Sequence, residues 1–272
     1  NGALCRLDFQ PTRHALSFRA APARVGCPLW TFSAILGIVQ GLTEFLPVSS
    51  LVTSSFSSVG TAFDVGLHVG TLTAPLAYFW RDWLVMARST VSDIAACRIT
   101  PANWSEPTRL LLLIALGSVP TAVVGLTFAS TIEENLPSHG SSPSFSRRPA
   151  EYADRRRRAA PQRSIRNLAR ADAVIIGLAQ ACALFPGISR SCTTMTAALF
   201  RHFARPDAAR FAFLLGTPAF VDAALVASLD LSEDSSADLI ELGVGFACSA
   251  LVGFVVIRWL LRFLRTRTLL LS

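Results

Sequence analysis

Apolar residues run along this chain in long blocks that are broken at two matching places. Leu110–Ala129 is twenty residues without a charge, Ala173–Ser189 is seventeen, and Leu242–Ile257 is sixteen. A helix needs about 17 to 25 such residues to cross a bilayer. The pattern predicts full crossings near 62–80, 109–130, 207–229 and 239–262. Trp80, Arg81 and Trp83 close the first of these as interfacial anchors, and Arg258, Arg262, Arg265 and Arg267 close the last. Two further apolar stretches are too short to cross. Thr31–Leu46 stops at Pro47, and Ala173–Phe185 stops at Pro186. Each reads as a half-helix that enters and turns back, which is tolerated only where protein or a watery cavity surrounds the turn.

The two interruptions are alike. The first half opens "GIVQGLTEFLPVSS" (Gly37–Ser50) and the second "GLAQACALFPGISRS" (Gly177–Ser191). Both read Gly-x-x-Gln, an apolar stretch, then Pro and a Ser-rich turn. Further on, "LLLIALGSVPTAVVG" (Leu111–Gly125) matches "FAFLLGTPAFVDAAL" (Phe211–Leu225) at Leu-Gly-(Ser/Thr) before Pro. Two landmarks in one order argue for an internal duplication. The predicted layout is a leader at 1–30 and a single membrane domain at 31–272. Within it lie a first repeat (31–130), an Arg-rich linker (131–170) and a second repeat (171–272). Repeats broken at corresponding positions place a site between the halves, near mid-membrane. The predicted fold class is therefore an all-α integral membrane protein, a polytopic inverted repeat with two re-entrant helical hairpins.

Composition agrees: 51% of residues are hydrophobic and only 16% charged, against about 25% charged in soluble domains. The net charge of +7 raises nucleic acid as a partner, and its distribution removes that reading. Residues 1–30 carry +3 and residues 131–170 carry +5, which leaves −1 for the rest. The basicity sits in a tail and a loop, as the positive-inside bias gives a membrane protein. All 25 basic residues are arginine, a matter of genome composition more than chemistry. The six cysteines show neither CxxC spacing nor a disulfide framework, so free thiols are expected. Residues 1–30, Arg-bearing and acid-poor, have the composition of an organellar transit peptide; an ordinary disordered terminus is the competing reading.

Chemistry concentrates at the two turns. A carboxylate such as Glu44 in apolar surroundings costs several kcal/mol unless something pairs with it. In "FPGISRSCTT" (Phe185–Thr194), Pro186-Gly187 permits a bend, Ser189 and Ser191 supply hydroxyls, and Arg190 supplies a planar fork of donors. A helix resumes after it, so the turn is a helix N-terminus and an anion site that phosphate suits best. Plain capping would account for Ser191 or Thr193, but not for an arginine inside an apolar segment. Three roles stay open for Glu44: pairing with Arg190, holding a divalent cation, or activating water.

The two motifs together closely resemble the signatures of the undecaprenyl-diphosphate phosphatases, the bacitracin-resistance family. "AFDVGLHVGTLTAPLAYFWRDW" (Ala62–Trp83) and "LGSVPTAVVGL" are similar to their family counterparts, so the resemblance covers most of 31–130 and 171–262. It implies an integral membrane enzyme that removes the terminal phosphate from a polyprenyl diphosphate with Mg²⁺ or Ca²⁺, recycling the lipid carrier of cell-wall synthesis. By position it implies Glu44, Ser50, Ser189 and Arg190 as catalytic residues, with Glu44 also the metal ligand. Gln40, Ser49, Gly187, Ser191 and Thr193 are implied as substrate-binding. The family's home is the bacterial plasma membrane, while the leader points to an organellar, plastid-type membrane. The sequence departs from the family where a histidine is usual, since Leu51, Val52 and Thr53 stand there. Cys192 and Thr193 replace a pair of small residues. His68, four residues after Asp64, is an alternative base, with a polar lining role as its rival. Two other functions fit the same pattern: a lipid or small-anion transporter or flippase, and an inactive remnant that binds lipid diphosphates. Oligomeric state is left open.

Overall fold

The computed structural model describes residues 29–46, 61–96, 103–135, 162–184, 188–230 and 239–266. Their helices are α1 (Leu29–Phe45), α2 (Thr61–Tyr78), α3 (Trp80–Ala95), α4 (Glu106–Asn135), α5 (Arg170–Ala181), α6 (Arg190–Phe200), α7 (Arg205–Asp230) and α8 (Leu239–Thr266). Among the described residues there is no strand, only an isolated bridge between Arg163 and Phe203. The all-α expectation holds.

Helices pack across the two halves of the sequence. α1 lies along α8, and α2 also flanks α8. In the other direction, α5 lies along α4. The opening helix of each half thus rests on a long helix of the other, and small residues allow both crossings to be close. A Cβ added at Gly37 would meet the Gly245 carbonyl oxygen at 2.5 Å, and one at Gly41 would meet that of Ser249 at 2.8 Å. In α5, a Cβ on Gly177 would run into the carbonyl of Gly117 in α4. The Thr121 hydroxyl donates to the Gly177 carbonyl at 3.3 Å, and the Ser249 hydroxyl donates to that of Leu67 at 3.0 Å. Lipid tails are as apolar as leucine, so close packing of small residues and interhelical hydrogen bonds must hold such helices together.

α7 runs through the centre. Phe211, Ala212, Phe213, Leu214 and Leu215 are consecutive and all buried, the signature of a helix enclosed on every side. α4 and α8 are its opposites. Glu106–Thr127 and Ile240–Arg265 both have a mean hydropathy of 2.2, yet only 22% and 28% of those windows are buried. The core helix of a soluble protein would hide most of such a surface. Here Val119, Val123 and Leu126 of α4, and Leu251, Val255 and Trp259 of α8, face outward. These two are the helices, among the described residues, long and apolar enough to cross a membrane. The segment expected near 62–80 is one helix, α2, which ends at Tyr78; Phe79 is a bend, and a separate helix, α3, begins at Trp80.

Polar clusters fix the helix ends. Asp93 of α3 is buried, and its Oδ2 accepts the Ser105 N–H (2.9 Å) and the hydroxyls of Ser105 and Thr108 (both 2.7 Å). This locks the α3–α4 corner. Asp172 of α5 is enclosed and pairs with Arg163 at 2.7 Å and Arg201 at 2.6 Å. The stretch read from sequence as linker therefore begins late and ends early. α4 continues to Asn135, and the segment from Gln162 onward is structured by a short 3₁₀ turn, Ile165–Asn167, and by these contacts with the second half. Its composition forbids folding alone; docking on α5 and α7 supplies what it lacks.

Candidate active site

Both apolar stretches that stop at a proline form the short helices expected of them. α1 ends at Phe45, and α5 tightens into a 3₁₀ turn at Cys182–Leu184. Phe45 anchors the end of α1. It is buried, meets Phe213 of α7 edge-on at 5.9 Å between centroids, and sits against Gly253 of α8. With its neighbour so held, Glu44 is fixed where α1 terminates, half-buried.

Gln40 lies one turn earlier on the same face. Its Nε2 donates to Glu44 Oε2 at 3.3 Å. Only 1% of Gln40 is exposed, and its Oε1 is buried with no hydrogen-bond partner. An unmatched buried amide oxygen beside a carboxylate is costly unless a cation or donor completes it. The first turn therefore offers two hard oxygen donors, which suit Mg²⁺ or Ca²⁺. No cluster of three or more His, Cys, Asp or Glu exists among the described residues, so a zinc-type cage has no support there. Mg²⁺ needs no such cage, because it keeps waters and shares one or two carboxylates with substrate phosphates.

The second turn meets the first at this point. Arg190 is the first residue of α6, with Ser189 as its cap. The Ser189 hydroxyl accepts the Cys192 N–H at 3.4 Å. Capping thus falls on Ser189, not on Ser191 or Thr193 as the sequence suggested. The helix starts earlier than expected, so the capping position shifts with it. Thr193 instead donates its hydroxyl to the Ser189 carbonyl at 2.9 Å, an internal bond that bends its oxygen back onto the helix. Ser191 reaches across: its Oγ donates to the Glu44 carbonyl at 3.2 Å and lies 3.2 Å from Ser189 Oγ. Arg190 has a fully buried Nη1 and stands between Ser189 and Ser191, next to the point where Ser191 meets the Glu44 carbonyl. The end of α1 that carries Glu44, two serine hydroxyls and the positive end of the helix that begins at Arg190 therefore meet.

Gln40, Glu44, Ser189, Arg190, Ser191 and Thr193 are thus all placed: Gln40 meets Glu44, Ser189 meets Ser191, and Ser191 joins the two pairs through the Glu44 backbone. Ser49, Ser50, Gly187 and the Leu51–Thr53 positions lie outside the described residues. His68 is exposed on α2, and the Asp64 side chain also lies outside what is described. Sequence reasoning passed over Gln180. It is fully buried, donates to the Leu215 carbonyl at 3.4 Å, and leaves its own Oε1 without a partner. The repeat was the available signal, because Gln180 occupies in "GLAQ" the place Gln40 occupies in "GIVQ".

Comparison with known proteins points the same way. Residues 33–271 match the family described as Bacitracin resistance protein BacA. A protein of Thermomicrobium roseum named undecaprenyl-diphosphatase is 38% identical over 255 residues, covering 86% of this chain and 89% of its own length. One of the same name from Chlorobium limicola is 36% identical over 254 residues, covering 87% and 89%. One from Synechococcus elongatus is 36% identical over 256 residues, covering 88% and 86%. With that extent of match, and with Glu44 of the first motif joined to Ser191 of the second, the chain belongs to the bacitracin resistance protein BacA family.

Proposed function

We propose that this chain is a membrane phosphatase that hydrolyses undecaprenyl diphosphate to the monophosphate and inorganic phosphate. The observation that carries the reading is the junction of the end of α1 with the start of α6, where Ser191 of the arginine motif hydrogen-bonds the backbone of Glu44. A lipid diphosphate needs a compact anion site within reach of an apolar exterior. Exposed Ile35, Ile38 and Leu42 make the face of α1 opposite Gln40 and Glu44 apolar, so the site lies one helix width from a surface that suits a prenyl tail.

In the reaction the bond between the terminal phosphorus and the bridging oxygen breaks. The oxygen of water ends on the released phosphate, and the lipid keeps its inner phosphate. Arg190 and the first turn of α6 hold the terminal phosphoryl oxygens, whose charge is the main quantity to be stabilised. Ser189 and Ser191 orient that turn. Glu44 and Gln40 Oε1 would hold Mg²⁺ or Ca²⁺, which when bound neutralises phosphate charge. Glu44 is also the carboxylate placed to accept a proton from the attacking oxygen.

The architecture we favour around this site is one multi-pass domain, an inverted repeat with two re-entrant hairpins. Its support is the reciprocal packing of α1 on α8 and α5 on α4, with a Gly-x-x-Gln at each crossing.

Purified chain given a C55 or C15 prenyl diphosphate should release phosphate, and chelation of divalent cations should stop it. Uptake of the lipid into vesicles without hydrolysis would instead make it a transporter. Tight binding of the diphosphate with neither release nor uptake would make it a remnant.

A further inference from the structure

α3 has three distinct sides. The side toward the protein buries Met86 and Asp93 and carries Asp82, which pairs with Arg210 of α7 at 2.7 Å. Asp93 is taken up by Ser105 and Thr108. Both acidic residues of the helix are thus consumed internally. The second side carries Trp80, Leu84, Ala87, Val91 and Ile94, all exposed, at the i, i+4, i+7, i+11, i+14 spacing of one helical stripe. Val91 and Ile94 are each 68% exposed. The third side adjoins this stripe and presents Arg81, Arg88 and Ser92 around a single apolar residue, Val85, all exposed. The Arg81 guanidinium lies over the Trp80 ring, 5.3 Å from its centroid. Among the described residues neither arginine enters an ion pair.

At 16 residues, α3 is too short to cross a bilayer. Its exposed half is apolar along one edge and basic along the next, the division found in helices that lie in the plane of the membrane surface. We propose that α3 is such an interfacial helix, and that Arg81 and Arg88 bind the headgroups of anionic phospholipids while the Trp80–Ile94 stripe enters the acyl boundary. Charge complementarity selects this occupant. The inward acids leave two positive charges and no negative one on the outer half, and the Trp80 ring fixes the depth at which Arg81 sits. The inference needs membrane residence only and stands apart from the phosphatase reading.

The test is made on the full chain in vesicles of equal parts phosphatidylcholine and phosphatidylglycerol. Native mass spectrometry of the released protein gives the ratio of the two lipids retained. Each surface arginine contributes roughly fivefold to local anionic-lipid preference. Wild type should therefore retain phosphatidylglycerol several-fold over phosphatidylcholine, and the preference should fall in 0.5 M salt (roughly a 4 Å screening length). Arg81→Gln/Arg88→Gln should lower the ratio several-fold, whereas Arg81→Lys/Arg88→Lys should keep most of it. Unchanged preference in the glutamine variant overturns the proposal. Depth is checked separately with lipids brominated near the headgroup. Trp80→Phe should remove a quenched share of the fluorescence, and an identical quenched share in both proteins likewise overturns it.

Discussion

The Ser191 hydroxyl donates to the main-chain carbonyl of Glu44 at 3.2 Å, joining residues 147 apart in sequence. That bond brings the carboxylate turn of the first half against the arginine turn of the second. Ser191→Ala removes one hydrogen bond of about 1 kcal/mol and frees the α6 terminus to drift from Glu44. The expected result is a fall in kcat of about tenfold, since small displacements of positioned groups are costly. The unfolding midpoint should move by only a few degrees. Steady-state phosphate release and thermal unfolding in detergent read the two quantities. Intact kcat in the alanine variant would show that the junction does not position the site.

Gln40 and Gln180 share a motif but not a setting, because only Gln40 touches Glu44. Gln40→Met should raise the Mg²⁺ concentration needed for half-maximal activity by about tenfold, through loss of one oxygen donor. Gln180→Met should leave that concentration unchanged. Titrating both variants with Mg²⁺ distinguishes them; equal shifts contradict the assignment of Gln40 Oε1.

At the α5–α4 crossing, a side chain on Gly177 has nowhere to go but into the backbone of Gly117. Gly177→Leu should cost about 3 kcal/mol or more by overpacking, while Gly125→Ala, where nothing lies within 4 Å, should be close to neutral. Denaturation in mild detergent compares them. Equal stability of the two variants contradicts the close crossing.

Asp172 carries a pH dependence outside the membrane-spanning helices. Burial alone would raise its pKa, but bonds from Arg163, the Ala169 N–H and Arg201 outweigh burial and hold it below the usual 3.8. A carboxyl depressed in the folded state contributes stability that is present above its unfolded value and lost as pH falls through the folded one. Stability should therefore drop as the solution is acidified below about pH 4. Asp172→Asn should destabilise the fold at neutral pH by about 1 kcal/mol, because water can take over the charge of the part-exposed Arg163 and Arg201. It should also remove this part of the acid-dependent slope. A slope unchanged in the variant assigns the acid sensitivity elsewhere.

Much of the site was legible because its chemistry conflicts with its surroundings. Glu44 and Arg190 stand in stretches too apolar for them, and that conflict marks function before any geometry is known. The ends of α1 and of the Cys182–Leu184 turn were legible for a similar reason, since in the sequence a proline follows each within two residues. What pattern could not show is pairing across the halves. That Gly37 faces Gly245 while Gly177 faces Gly117 depends on a tertiary arrangement no local spacing encodes. The cap fell on Ser189 because α6 starts one turn position earlier than the Ser/Thr run suggests. Gln180 was missed since a buried glutamine without a charged neighbour leaves no conflict to notice.

The central claim is that Glu44 and Arg190 serve one phosphate site. A double-mutant cycle on phosphate release from a prenyl diphosphate tests it most directly. Glu44→Gln and Arg190→Ala should each lower kcat by about 10²-fold or more, and the double variant should fall little further, because groups acting as a unit are not additive. Losses that multiply, or a folded Arg190→Ala variant that retains its turnover, would contradict the claim.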